Sequence, residues 1–146
     1  MKTLIRTKAL YLLARRDHGK KELFTKLLRK GFPGTIIREV LDDLENENLL
    51  NNMRFIGSYI RFRSAKGYGP LKICAELGKR GIDHTQIRSS EVWQETPWCE
   101  LAICARIKRF GEAIPQEKEQ RILQARFLQY RGFTSEEIRS ALSIAL

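Results

Sequence analysis

The feature that most constrains how this chain folds is a short signal that occurs three times. A basic residue, a glycine and an apolar residue follow one another at Lys30-Gly31-Phe32, Arg80-Gly81-Ile82 and Arg131-Gly132-Phe133. The glycines recur 50 and then 51 residues apart. A leucine precedes each by four positions (Leu27, Leu77, Leu128), and an isoleucine follows each by six (Ile37, Ile87, Ile138). A glycine just past an apolar-periodic run ends a helix, because it takes the left-handed backbone without a Cβ clash. The preceding Lys or Arg suits the negative end of the helix dipole. The apolar residue after it packs back on the last turn, and the isoleucine opens the buried face of the next helix.

Around these stops the apolar spacing predicts helices. Residues 3–16 carry Ile5, Ala9, Leu12 and Leu13 on one face, 19–30 carry Leu23, Phe24, Leu27 and Leu28, and 35–47 carry Ile36, Ile37, Val40, Leu41 and Leu44. A helix over about 53–65 carries Phe55, Ile56, Tyr59 and Ile60. After the turn Gly67-Tyr68-Gly69-Pro70, Leu71, Cys74, Leu77 and Gly78 line another, and a weaker one over about 84–95 holds Ile87 and Val92. The last set opens at Thr96-Pro97, a cap followed by a helix-starting proline. Trp98, Leu101, Ala102 and Ala105 face inward up to about Arg109, and Ile122, Ala125 and Leu128 mark a helix over about 116–130. Thr134 and Glu137 form a capping box for a final helix at 135–145.

The expected fold is all-α: nine short helices in three tandem three-helix repeats at 1–50, 51–95 and 96–146, forming an elongated array free to curve. No window alternates well enough for a strand. The competing reading is a single nine-helix globule with accidental periodicity.

Composition fits a folded helical chain. Hydrophobic residues make up 42% and charged residues 30%, and only four prolines interrupt the sequence. The 27 Lys and Arg against 17 Asp and Glu give a net charge of +10. Such an excess repels itself in a compact state and calls for an anionic partner. The first residues are broken by Arg6 and Lys8, and no run is long enough for a secretory core or a membrane span. The expectation is a cytoplasmic protein. Cys74, Cys99 and Cys104 are an odd count, read as buried or partly buried thiols. With only His18 and His84 beside them, no zinc pattern emerges.

Catalytic motifs are missing. There is no phosphate-cradling or dinucleotide glycine loop, no His-Glu-x-x-His and no nucleophile elbow. Asp42 and Asp43 are adjacent on a helix and point apart, so they make no paired-carboxylate site. The expectation is a binding protein with no catalytic residue, no cofactor and no metal.

The cations recur at matching places. The first repeat has Lys20, Lys21, Lys26, Arg29 and Lys30; the second has Arg61, Arg63, Lys66, Lys72, Lys79 and Arg80. The third has Arg106, Lys108, Arg109, Lys118, Arg121, Arg126 and Arg131. Repeated charges on a repeated module suit an extended polyanion, bound with steep salt dependence. Phe62, Tyr68, Phe110 and Tyr130 stand nearby and could stack on bases, although core packing is the commoner fate of such rings.

Three segments carry a family resemblance: Arg63-Ser-Ala-Lys-Gly-Tyr-Gly-Pro70, Glu76-Leu-Gly-Lys-Arg-Gly-Ile82 and Arg126-Phe-Leu-Gln-Tyr-Arg-Gly-Phe133. With Ala9-Leu-x-Leu-Leu-Ala-Arg15 and Glu22-Leu23, the chain resembles the RecX family of RecA recombinase regulators over nearly its whole length. Two positions depart from the pattern. Asn51-Asn52-Met53 replaces an Asp before the helix near Arg54, and His18-Gly19 replaces a hydroxyl cap, so that second helix is expected to fray.

The resemblance implies a monomeric, modular protein acting in homologous recombination, DNA repair and the SOS response. It implies binding to the RecA–DNA filament, to single-stranded and in some settings double-stranded DNA. The implied effect is restraint of recombinase, ATPase and coprotease activity by limiting filament extension or promoting disassembly. The alternative is a basic helical DNA- or RNA-binding module with no recombinase partner.

Overall fold

The computed structural model describes residues 1–143. Among them are ten helices and no strand. The first repeat holds α1 (Lys2–Arg15), α2 (Lys20–Arg29) and α3 (Gly34–Asn46). The second holds α4 (Asn52–Ala65), α5 (Pro70–Lys79) and α6 (His84–Arg88), followed by a single-turn α7 (Glu91–Glu95). The third holds α8 (Trp98–Phe110), α9 (Lys118–Tyr130) and α10 (Ser135–Leu142).

The glycine stops act as expected. Gly31, Gly81 and Gly132 have φ of 92°, 87° and 97°. At two of them the amide after the glycine reaches back to the carbonyl of the leucine: Ile82 N to Leu77 O at 3.1 Å and Phe133 N to Leu128 O at 3.1 Å. That bond satisfies an orphan carbonyl of the last turn. The same leucines are buried, as are Ile37 and Ile87, while Ile138 is half-buried.

Several local expectations are corrected. The helix over 84–95 is two short helices, because Ser89 and Ser90 turn the chain between them. The Ser89 hydroxyl donates to Gln86 O and the Ser90 amide to Ile87 O, satisfying carbonyls that a continuing helix would use. Thr96 does not cap α8; its hydroxyl donates backward to Val92 O, and Pro97 holds the N-cap position. On α5 the buried residues are Ile73 and Leu77, whereas Leu71 is 57% exposed, Gly78 is exposed and Cys74 is half-buried. Ile122 on α9 and Leu28 on α2 are exposed. Cys99 and Cys104 are exposed thiols, not buried ones. The expected end of the last helix, 143–145, lies partly outside the described residues.

The start of α2 does not rely on a local cap. Asn52, the first residue of α4, accepts the Lys20 amide at 2.8 Å. Asn51 accepts the Arg54 amide at 2.9 Å, so the two asparagines cap two different helices. The capping box at Thr134–Glu137 is formed, and a second joins Asp83 to Gln86.

Two compact units divide the chain. The first takes Met1–Tyr59 with Leu77–Ser90. Its core packs α1, α2 and α3 around Ile5, Leu23, Leu27, Ile37, Val40, Leu41 and Leu44. The second takes Ile60–Glu76 with the chain from Glu91 onward. Its core packs α8, α9 and α10 around Ala102, Leu128, Phe133 and Ala141.

Within each unit one repeat meets part of the next in the same manner. A Cβ on Gly81 would fall 2.8 Å from Lys21 Cβ, and one on Gly132 would fall 2.6 Å from the Lys72 amide nitrogen. Lys21 and Lys72 are 51 residues apart, as are the two glycines. The second helix of one repeat therefore presses on the glycine stop of the following repeat, twice. At the later junction backbone bonds seal the contact, with Gly69 N donating to Arg131 O and Leu71 N to Gly132 O.

Candidate functional site

In the first unit, α2 faces the end of α5 and the stop after it across an open cleft. Its lining includes Lys21, Glu22, Thr25, Lys26, Arg29, Lys79 and Arg80. The lysine-on-glycine contact creates this arrangement, because it brings two basic segments 58 residues apart in sequence to one place. Five cations meet a single carboxylate. Glu22 is already engaged, at 3.0 Å from Arg16 and 3.3 Å from Arg80. Burial pushes the Glu22 carboxyl up, but the Arg16 hydrogen bonds and the nearby Arg16 and Lys26 charges outweigh it and hold it below the usual range. It stays ionised and organises the guanidinium groups. Lys21, Arg29 and Lys79 have no carboxylate partner among the described residues.

His18 lies behind this cleft, 2% exposed. Its Nδ1 is 3.0 Å from Arg16 O and its Nε2 is 2.9 Å from Lys26 Nζ. An ammonium only donates, so Nε2 is the acceptor and Nδ1–H donates to the carbonyl. The imidazole is neutral in this arrangement. Burial lowers its pKa, opposed by the Arg16 carbonyl and aided by the charges of Arg16 and Lys26. Burial, then the nearby Arg16 charge, also lowers Lys26. Concentrated positive charge at a partly buried place leaves an unmet demand for an anion.

In the second unit the basic residues interleave with rings. Arg63 makes two 2.9 Å hydrogen bonds to the Glu76 carboxylate and sits 3.9 Å over the Tyr68 ring. Arg131 covers Tyr68 and Phe127 at 4.9 and 5.0 Å and donates to Lys66 O. Lys66 lies over Phe62, and Lys72 lies between Tyr68 and Tyr130. Arg109 stands against Phe110 and Phe127. Tyr130 is 80% exposed and Phe62 57% exposed. Arg61 borders a separate shallow groove with Ser64, Thr96 and Leu101.

Not every expected cation is at the surface. Arg106 is 1% exposed, and its guanidinium donates to the carbonyls of Gly111, Glu112, Ala113 and Ala141. It ties α8 to the following loop and to α10, so it is a structural residue and not a contact. Arg121 is half-buried and bonded to Pro115 O and Leu142 O. Lys20 is held by Asp42 at 2.6 Å and Glu45 at 3.0 Å. Lys30, Lys108, Lys118 and Arg126 are exposed. Sequence reasoning missed Glu22 as a member of the cleft and His18 behind it; Glu22 meets Arg80 from another element, and nothing in the sequence marks His18 as buried between Arg16 and Lys26. Among the described residues no cluster of His, Cys, Asp and Glu could hold a metal ion, and no helix is long and apolar enough to cross a membrane.

Comparison with known proteins gives a consistent result. Models of the first, second and third three-helix domains of RecX match residues 6–44, 51–89 and 100–142. The Regulatory protein RecX of Pseudomonas entomophila is 42% identical over 139 residues, covering 95% of this chain and 90% of that protein. That of Halorhodospira halophila is 38% identical, covering 97% and 88%. The crystal structure of RecX from Lactobacillus salivarius superposes with a TM-score of 0.79 at 19% identity, covering 98% of this chain and 95% of that one. With three matched domains, a shared fold and about two-fifths identity along nearly its full length, the chain belongs to the RecX family of regulatory proteins.

Proposed function

We propose that this protein binds the RecA–DNA nucleoprotein filament and restrains recombinase, ATPase and coprotease activity. It does so by limiting filament extension or promoting disassembly, as a monomer in the cytoplasm and without turnover of its own. The repeats at 1–50, 51–95 and 96–146 act as linked weak binding modules, so that avidity replaces tight single contacts. The contact residues are the exposed cations Lys21, Arg29, Lys30, Arg61, Lys66, Lys79, Lys108, Arg109 and Arg126 and the half-buried Lys26 and Lys72, with Arg80, Arg63 and Arg131 as shaped edges.

The observation that supports this reading best is the first-unit cleft, where five cations surround one engaged carboxylate. A filament presents phosphates and acidic side chains in regular array, and such a cleft gains from both through charge attraction and counterion release.

Sub-stoichiometric protein is expected to slow RecA-dependent ATP hydrolysis on single-stranded DNA. No effect at any ratio, in low or moderate salt, sinks the proposal. The exposed Tyr130 and Phe62 rings favour a second reading, a DNA- or RNA-binding module without a recombinase partner. Capture of RecA after nuclease treatment separates the two, since dependence of every interaction on nucleic acid supports the second.

A further inference from the structure

Tyr130 is the most exposed ring among the described residues of the second unit, ahead of Phe62 at 57%. It is the last residue of α9, and 80% of it is left in water. Neighbouring rings are covered: Tyr68 is half-buried beneath Arg63 and Arg131, and Phe127 packs on Phe110 at 5.3 Å. Among the described residues the Lys72 ammonium stands 5.3 Å from the Tyr130 centroid. One turn back on the same helix face stands Arg126, also exposed. Neither Lys72 nor Arg126 pairs with a carboxylate among the described residues.

The two repeat junctions show what is special here. Lys21 on Gly81 and Lys72 on Gly132 are equivalent contacts. At the first, the residue two before the glycine is Lys79; at the second, it is Tyr130. One junction offers an ammonium at this place and the other a ring. A ring flanked by two unpaired cations has the elements of a nucleotide site. The face takes a base and the cations take the phosphates on either side.

We propose that Tyr130, with Lys72 and Arg126, is a stacking seat for an unpaired base of single-stranded nucleic acid. A duplex keeps its bases stacked on each other, so it offers this seat only phosphates. The seat is sequence-tolerant, because every base has a π-face. The inference names the chemistry of one contact that both readings can use, and it rests on the filament reading only for the identity of the ligand in the cell.

The test is binding of a short oligothymidylate to the full chain, followed by anisotropy at fixed salt, with no recombinase present. Tyr130→Leu and Tyr130→Ala are expected to weaken binding about 5- to 150-fold, the range of one lost base stack. Tyr130→Phe is expected to bind like the parent, and the salt slope is expected to stay constant, since no phosphate contact is removed. An oligonucleotide carrying 5-iododeoxyuridine is expected to photocrosslink to Tyr130. Unchanged binding in Tyr130→Leu overturns the seat, because it shows that the ring is dispensable. Equal weakening in Tyr130→Phe and Tyr130→Leu overturns it too, as does a crosslink confined to other residues. Tyr130 is exposed, so these variants are expected to fold. Failure here leaves the filament reading standing, and failure of the ATPase test leaves the seat standing.

Discussion

The Arg106 guanidinium sits where a sequence pattern would put an alanine or leucine. It lies one turn after Ala102 on the buried face of α8, and four backbone carbonyls take the place of apolar neighbours. A buried cation without partners is very costly, whereas one bonded to carbonyls around its plane acts as a staple. Arg106→Ala is expected to destabilise the protein by about 3 kcal/mol or more, since it strands several carbonyls at once. Arg106→Lys is expected to recover little, because an ammonium lacks the planar fork that reaches Ala141 on one side and the loop on the other. Urea unfolding of the two variants checks this; near-parental stability in Arg106→Lys refutes it. His18 carries the same lesson. A lone histidine on a helical chain gives no hint that it will be buried between the Arg16 carbonyl and the Lys26 ammonium.

At the scale of helices and turns, two of the three glycine stops, Gly81 and Gly132, are joints where one repeat meets the next. Gly31 and Gly132 share the left-handed backbone but differ in surroundings. A Cβ at Gly31 would meet nothing within 4 Å, while one at Gly132 would meet the Lys72 backbone. Gly31→Ala is therefore expected to cost only the conformational term, about 1–2 kcal/mol. Gly132→Ala adds overpacking against a main chain held by the Gly69 and Leu71 amide bonds, for a total of about 3 kcal/mol or more. Thermal unfolding of both variants tests the ranking, and equal losses refute it. The apolar periodicity of α1, α2, α3 and α9 located those helices to within two residues. It failed at 84–95, where two serines bond the backbone and end a helix that the apolar spacing would continue.

For the molecule as a whole, charge and repetition combine. Most of the exposed cations are carried by helices, and their positive field favours rapid, salt-sensitive association with an anionic partner. Arg29→Glu with Lys30→Glu reverses two exposed cations at the end of α2, away from any core contact. The pair is expected to weaken filament binding about tenfold or more and to flatten its salt dependence, with circular dichroism unchanged. Parental affinity moves the contact surface elsewhere. Arg131 is unsuited to such a test, because its side chain holds Lys66 O and packs on Tyr68 and Phe127.

The sequence by itself determined the helical class, the threefold repetition and the stop at each repeat. These depend on local rules: apolar spacing, glycine at a left-handed position, and side chains that cap their own helix. Only the tertiary structure decided which cations are available. Burial and pairing join residues far apart in the chain, such as Arg106 with Ala141, Glu22 with Arg80 and Lys20 with Asp42. A basic residue reads the same in sequence whether it staples a core, neutralises a carboxylate or waits in solvent, and only its neighbours in space distinguish these fates.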